Sequence, residues 1–390
     1  MKTPFFQINK DVLDENIHTF KDALETIWPN SKLAYSIKTN SLPWLLEYLQ
    51  AHGVIAEAVS DEEYQLAKLC GYKDHEIVFN GPIKSDDMLK KALEGGSFVN
   101  LDSLHELNYL KQQKWENKVN IGVRININPN VFDEKDIGYA DDGFRFGYSY
   151  ESKKAFEVFE FIKNHFPECN IGIHLHCNSI TRSLDVYRSI SKYAAKIISE
   201  YTLPISYIDI GGGFFGGVPG KPDAHDYIKV IKEEFEKVLD ISKTTLIAEP
   251  GSAIIGSAID LHTSVIDVKD TIAARIVTTD GSRIHIDPLW AKNRYMYSVT
   301  KCDNSERSIL SKQIICGYTC MDHDRIMTPE QIEELKIGDK IIYHRVGAYS
   351  VTFGGPFIRY FPDVYFKNEN NEYTQVRKRI SVEDYYKIHS

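Results

Sequence analysis

The chain has 390 residues, 43% hydrophobic and 26% charged, a globular composition that excludes disorder and collagen-like repetition. This length exceeds one ordinary core, so two domains are expected, one of them a barrel. A formal charge of −9, from 46 Lys and Arg against 55 Asp and Glu, argues against nucleic acid or an anionic membrane as the main partner. No uncharged apolar run approaches the roughly 18 to 20 residues of a bilayer crossing. The opening MKTPFFQINKDVLDENIH is interrupted by charge before any signal-peptide core can form. Cys70, Cys169, Cys177, Cys302, Cys316 and Cys320 form no even framework, so reduced thiols and a cytoplasmic location are expected.

In chain order, Pro4 to Ile8 can supply a strand to a later domain, and residues 1–25 are assigned to that role. Residues 26–255 then repeat one unit: a short apolar run, a polar cap and an amphipathic helix. Leu33 to Ile37 is the first run, and Pro43 opens a helix that Gly53 stops. Val54 to Ala58 follows, with a capping box at Ser60 and Glu63 and a stop at Gly71. Ile77 to Phe79 precedes a helix from about Ser85 to Glu94, and Phe98 to Leu101 precedes a second capping box at Ser103 and Glu106. Val119 to Ile125, Ile171 to Leu175, Ile205 to Ile210 and Thr245 to Ala248 complete eight runs, with helices near 182–200 and 222–239. Eight such units over roughly 225 residues match an α/β fold of the (β/α)8 TIM-barrel type better than an open doubly wound sheet. Residues 256–390 read instead as a C-terminal antiparallel β domain, a sandwich or barrel. Its strands are Ser264 to Val268, Ala274 to Thr278, Arg283 to Ile286, Gln313 to Ile315, Lys340 to Tyr343 and Thr374 to Arg377.

Barrel enzymes place their chemistry at the carboxyl ends of the strands, so the residues at each exit matter most. The first run ends at Lys38, read either as a snorkelling surface lysine or as one with a lowered pKa able to form a Schiff base. The sixth ends in His174-Leu175-His176-Cys177-Asn178-Ser179, where alternation puts both histidines on one side. They can be core residues, metal ligands, or a ring that stacks on an aromatic cofactor. The seventh runs into Gly211-Gly212-Gly213, whose bare amides can cradle phosphate. The eighth ends in Glu249-Pro250-Gly251, a carboxylate able to pair with a protonated ring nitrogen. Lysine, stacking histidine, phosphate cradle and ring-nitrogen carboxylate together describe pyridoxal 5'-phosphate (PLP).

Further motifs complete a family pattern: Tyr35 to Asn40, Glu57 to Glu63, Phe144-Arg145-Phe146-Gly147, His174 to Ser179, Asp209 to Gly213, Glu249 to Gly251, Cys320 to Asp324, and Gly347-Ala348-Tyr349-Ser350. In this order they resemble the fold-type III, alanine-racemase-like PLP enzymes, and within them the diaminopimelate/ornithine decarboxylase group, over nearly the whole chain. The resemblance implies that Lys38 bonds the cofactor, His176 stacks on its ring, and Glu249 meets the pyridine nitrogen. Ser179, Gly211, Gly212, Gly213 and Tyr349 would bind the phosphate, Gly251 would also contact the cofactor, and Arg124 would sit near the phenolic oxygen. Cys320 matches a catalytic cysteine offered by the β domain of one subunit to the barrel of the other, in a homodimer with shared active sites. No metal is implied; a Cys316, Cys320 and His323 set lacks a fourth ligand.

Two departures bear on substrate. The family commonly reads E-P-G-R; Ser252 follows Gly251 here, so an arginine that the resemblance implies for holding phosphate or substrate carboxylate is missing. The residue after the cysteine is usually acidic and binds a distal amine, whereas here it is Met321. Asp322 or Asp324 can take over that role. Arg294 and Tyr297, in the stretch Trp290 to Tyr297, lie one residue off the spacing of the family's distal-carboxylate ligands. The cationic cluster Lys292, Arg294 and Arg345, with Met321, suggests an anionic or conjugated tail, as in a siderophore, antibiotic or carrier-bound precursor. The expected activity is therefore α-decarboxylation of a specialised amino acid. Diaminopimelate decarboxylation and racemisation are the alternatives on this fold, and a silent regulator or metal hydrolase the more distant ones.

Overall fold

Apolar runs of three to seven residues, alternating with helices, close on themselves in the computed structural model, which describes every residue except 116, 117, 139, 140 and 293. The eight barrel strands are Ser31–Ser36, Ile55–Ala58, Ile77–Phe79, Phe98–Leu101, Asn120–Asn126, Asn170–His174, Ile205–Asp209 and Thr245–Ala248. Each pairs in parallel with the next, and the eighth returns to the first. Parallel strands covered on both faces are almost continuously apolar, which is why the runs were visible in the sequence. Ala34, Val78, Tyr207 and Ile247 meet in the core. Two glycines make room for the tyrosine: a Cβ at Gly172 would lie 2.1 Å from the Tyr207 ring, and one at Gly122 would lie 2.7 Å from its hydroxyl.

Caps fix where the helices begin. The side chains of Ser60, Ser85, Ser103 and Ser183 each accept a hydrogen bond from the amide three residues on. Glu106 returns its carboxylate to the Ser103 amide, whereas Glu63 reaches one residue further back, to the Val59 amide at 2.9 Å. The barrel forms the unit Asn16–Ile254, and the second unit joins Met1–Glu15 to Ile255–Ser390. The division falls inside the helix Lys10–Ile27, earlier than the boundary near residue 25 read from sequence.

In the second unit, the strand Phe5–Asn9 lies antiparallel to Ile259–Asp270 and parallel to Asp363–Lys367. Ile259–Asp270 also pairs antiparallel with Arg275–Thr279 and Lys340–His344. Arg275–Thr279 runs parallel to Ile309–Cys316, so the expected antiparallel domain is a mixed sheet, with most pairings antiparallel and two parallel. Arg283–Ile286, expected as a strand, is a single helical turn, because the Ser282 hydroxyl accepts from the Ile284 amide and starts it. Asp363–Lys367 and Met296–Thr300 were not foreseen; in the latter, exposure on both faces leaves no alternation to read. Among the described residues no helix is long and apolar enough to cross a membrane, and all six cysteines are unbonded.

Candidate active site

The first barrel strand passes at Ser36 into one tight turn, Ile37–Thr39, which presents Lys38 at the mouth with its side chain 40% exposed. Its Nζ donates to Glu57 Oε2 at 2.7 Å, and Ser36 Oγ donates to the same oxygen at 2.5 Å. Glu57 comes from the second strand and is buried. Burial pushes the Lys38 ammonium down, but the carboxylates of Glu57 and Glu249 outweigh it and hold its pKa above the ordinary 10.5. The expectation of a lowered lysine pKa is therefore reversed for the free side chain, because buried carboxylates surround it.

The next exits extend this into a buried network. Asn80, directly after the third strand, donates from Nδ2 to Glu249 at 2.7 Å and to Glu57 at 3.1 Å. Asn100, on the fourth strand, donates to Asn80 Oδ1 at 2.8 Å and to Asp209 Oδ2 at 2.7 Å. The other Asp209 oxygen accepts from the Gly211 amide at 3.0 Å. Burial, with the charges of Asp209 and Glu57, pushes Glu249 well above the carboxylate range. Burial also raises Asp209 to about 6. Burial thus favours the protonated form of both carboxylates.

The two histidines of the sixth exit separate in role. His174 is buried, with neither ring nitrogen hydrogen-bonded, and burial followed by the charge of Arg124 keeps it neutral. Its nitrogen and the oxygens of Asp209 and Glu249 lie within 4.8 Å of one another, a ligand-like set. His176 is not part of it, so the H-x-H pair does not form one metal site. His176 instead packs on Gly211, where a Cβ would lie 2.7 Å from its ring. Burial and then Arg124 lower His176 to about 3, leaving a neutral imidazole suited to stacking on an aromatic ring. It lines a cavity of about 510 Å³ with Arg124, Phe146, Cys177 and Asn178. Arg124 is fixed by Asp102 at 2.8 Å and lies 4.4 Å over the Phe146 ring.

The glycine loop has the conformation of an anion cradle. Gly211 and Gly213 have φ of +66° and +95°, and a Cβ at Gly212 would lie 2.4 Å from the Glu249 carbonyl oxygen. A Cβ at Gly251 would lie 1.9 Å from Thr39 Oγ1, so the eighth exit closes on the Lys38 turn. Ser179 Oγ accepts from the Arg182 amide at 2.8 Å. The barrel thus gathers Lys38, Arg124, His176, Ser179, Gly211 to Gly213, Glu249 and Gly251 at its mouth. An amine, a neutral stacking ring, bare loop amides and a proton-holding carboxylate fit the aldehyde, ring, phosphate and ring nitrogen of PLP.

The remaining candidates belong to the β unit. Cys320 and Asp322 are exposed, Met321 is half-buried, and Tyr349, with φ of +62°, packs edge-on against Phe353. Asp324 does not face a substrate amine. It is buried, and its carboxylate accepts from Ser282 Oγ at 2.9 Å, the Arg283 amide at 3.0 Å and Thr319 Oγ1 at 2.7 Å, which fastens its own loop. Arg294 is exposed, and Tyr297 lines a cavity of about 170 Å³ with Lys301, Arg307 and Glu333. Asn293, within the same stretch, lies outside the described residues.

Sequence reasoning assigned no role to Glu57, Asn80, Asn100, Asp102 or Asp209. Their signal was a polar residue at or next to the carboxyl end of an apolar run, the same signal that marks Lys38, and it stands at the second, third, fourth and seventh exits.

Known proteins share this fold and sequence pattern. The diaminopimelate decarboxylase of Helicobacter pylori strain J99 is 27% identical over 398 residues, covering 99% of this chain and 95% of its own length. That of Archaeoglobus fulgidus is 26% identical, covering 91% and 85%. The solved structure of the M. jannaschii diaminopimelate decarboxylase superposes with a TM-score of 0.83 at 22% identity, over 98% of this chain and 91% of that one. The H. pylori enzyme complexed with L-lysine gives 0.81 at 24%, over 100% and 97%. The pyridoxal-binding domain of the pyridoxal-dependent decarboxylases matches residues 11–256, and the chain belongs to this family of PLP-dependent amino-acid decarboxylases.

Proposed function

We propose that the chain removes the α-carboxyl group of diaminopimelate. The observation that carries this reading is the end-to-end match to diaminopimelate decarboxylases, which spans both units of the chain. It outweighs the specialised or carrier-bound substrate suggested by Met321 and Ser252, because the relatives named above are diaminopimelate decarboxylases.

PLP, when bound, supplies an electron sink for the pair left at Cα as the carboxylate departs. Lys38 is the residue that attaches it. For that, Nζ must lose a proton, and Glu57 Oε2, 2.7 Å away, holds the ammonium until the cofactor aldehyde engages it. Glu249 and Asp209 hold a proton for the ring nitrogen, and Asn80 and Asn100 keep both carboxylates oriented. His176 covers the ring without adding charge. Ser179, the glycine loop and Tyr349 hold phosphate, and Cys320, supplied by the second subunit of a homodimer, returns a proton to Cα. Asp322, exposed beside Met321, is the remaining candidate for the distal amine, with Arg294 and Tyr297 toward the distal carboxylate. The unpaired cysteines support a reducing, cytoplasmic location.

The test is CO2 release by PLP-loaded protein from meso-diaminopimelate, ornithine, lysine, arginine and amino acids with acidic or acylated tails. Diaminopimelate is expected to exceed every other member at least about tenfold in kcat/KM, the discrimination typical of a buried polar contact. Turnover confined to the acidic or acylated members would overturn the assignment and restore the specialised reading.

A further inference from the structure

We propose that Arg182 is the cation that receives the phosphate of the cofactor, doing from the sixth barrel exit what Ser252 leaves undone at the eighth. The proposal rests on the barrel holding PLP by its glycine loop. Arg182 stands where three exits meet. Its amide donates to Ser179 Oγ at 2.8 Å, on the sixth exit. Its guanidinium donates from Nη1 to Ser252 Oγ at 3.3 Å, on the eighth, and lies 5.6 Å over the ring of Phe215, on the seventh. The seventh and eighth exits are in close contact there, since a Cβ at Gly216 would lie 2.2 Å from the Ala253 carbonyl oxygen.

The backbone is arranged for this position at a cost. Arg182 has φ of +51°, a left-handed conformation that side-chain-bearing residues rarely adopt. Tyr227 Oη pins its carbonyl at 2.6 Å. Tyr187 Oη donates to the Gly212 carbonyl at 2.9 Å, so the same pair of helices braces both Arg182 and the glycine loop. Among the described residues no carboxylate forms an ion pair with Arg182. The buried Asp136 is engaged instead by the hydroxyls of its neighbours, Thr181 and Ser183. A half-buried arginine left without an anion beside a loop of bare amides and a serine hydroxyl is complementary to a phosphate dianion.

Apo protein titrated with PLP and, separately, with pyridoxal tests this, because the two ligands differ only in the phosphate. R182A is expected to weaken PLP about 10- to 100-fold, the loss of one charged hydrogen-bonding partner, and to leave pyridoxal within about twofold. R182M, which keeps an apolar stem over Phe215, is expected to behave like R182A, separating charge from packing. The double variant R182A/S252R is expected to recover most of the PLP affinity. K221A is the control, since Lys221 lies 5.3 Å from the same ring but is exposed, and it is expected to change neither ligand. Equal losses for PLP and pyridoxal, or unchanged PLP affinity with a raised substrate KM, would overturn the proposal. Wild-type protein that takes up neither ligand would overturn the cofactor reading and this one with it.

Discussion

Glu57 sets the electrostatic character of the mouth, because it is buried and accepts from Ser36, Lys38 and Asn80 at once. The Lys38 charge, followed by these hydrogen bonds, outweighs burial and holds Glu57 below the ordinary 4.5, while Lys38 is held above 10.5. The lowered acid contributes stability above 4.5 that is lost as pH falls through its folded value. The raised base contributes stability below 10.5 that is lost as pH rises through its own. Both contributions therefore coexist across the neutral range. Glu57→Gln removes the charge that holds the ammonium, so the pH midpoint of PLP uptake is expected to fall relative to wild type, read from uptake rates across pH. An unmoved midpoint would separate Glu57 from Lys38. At this scale the sequence exposed the residues that stand alone at a strand exit, such as Lys38 and Glu249. It concealed the partners, because the Asn80–Glu249 bond joins residues 169 positions apart and leaves no local pattern. Asp324 shows the converse: its place beside the cysteine suggested a ligand, but three residues of its own unit, Ser282, Arg283 and Thr319, occupy it as a loop fastener.

Elements were legible where their signal was local. All eight barrel strands lie where the apolar runs placed them, and the serine caps start the helices that follow. The cap of the helix Asp61–Leu69 carries a titration consequence. Burial raises Glu63 to about 7, so between 4.5 and 7 the folded chain binds a proton that the unfolded chain does not. Stability then falls as pH rises through that window, and the penalty is complete above it. Glu63→Gln keeps an acceptor for the Val59 amide and removes the charge. It is expected to raise the Tm by a few degrees at pH 8 and to change little at pH 4; a uniform loss at both would show that the carboxylate is needed for the cap. Inside the barrel, Gly172→Ala places a methyl against the Tyr207 ring. Overpacking of this kind costs about 1 to 3 kcal/mol, to be read from chemical denaturation, and an unaltered midpoint would mean that the ring has room to move. The β unit was less legible. Arg283–Ile286 alternates over only four residues, as short as one helical turn, and the preceding serine decides for the turn.

The whole molecule divides its chemistry between two units: the barrel carries the groups that fit the cofactor, and the β unit carries Cys320, Met321 and Tyr349. If the partner subunit supplies Cys320 to the barrel, two inactive variants must complement each other. Mixed K38A and C320A chains are expected to regain about a quarter of wild-type activity, since random pairing leaves one intact site in half of the dimers. A mixture as inactive as its components, with exchange of subunits verified, would place the cysteine elsewhere. The family was legible because its motifs follow the order of the barrel strands. The substrate was not, because Met321 and Ser252 depart from the family pattern, and the hydrogen bond that the structure gives the Ser252 hydroxyl comes from Arg182, 70 residues away. The central claim is that Lys38, at the first exit, carries PLP. Reduction of the PLP-loaded protein with borohydride, followed by peptide mapping, tests it most directly. One pyridoxyl group per chain on the peptide containing Lys38 is predicted; a label fixed on another lysine, or none on a chain that binds the cofactor, would contradict it.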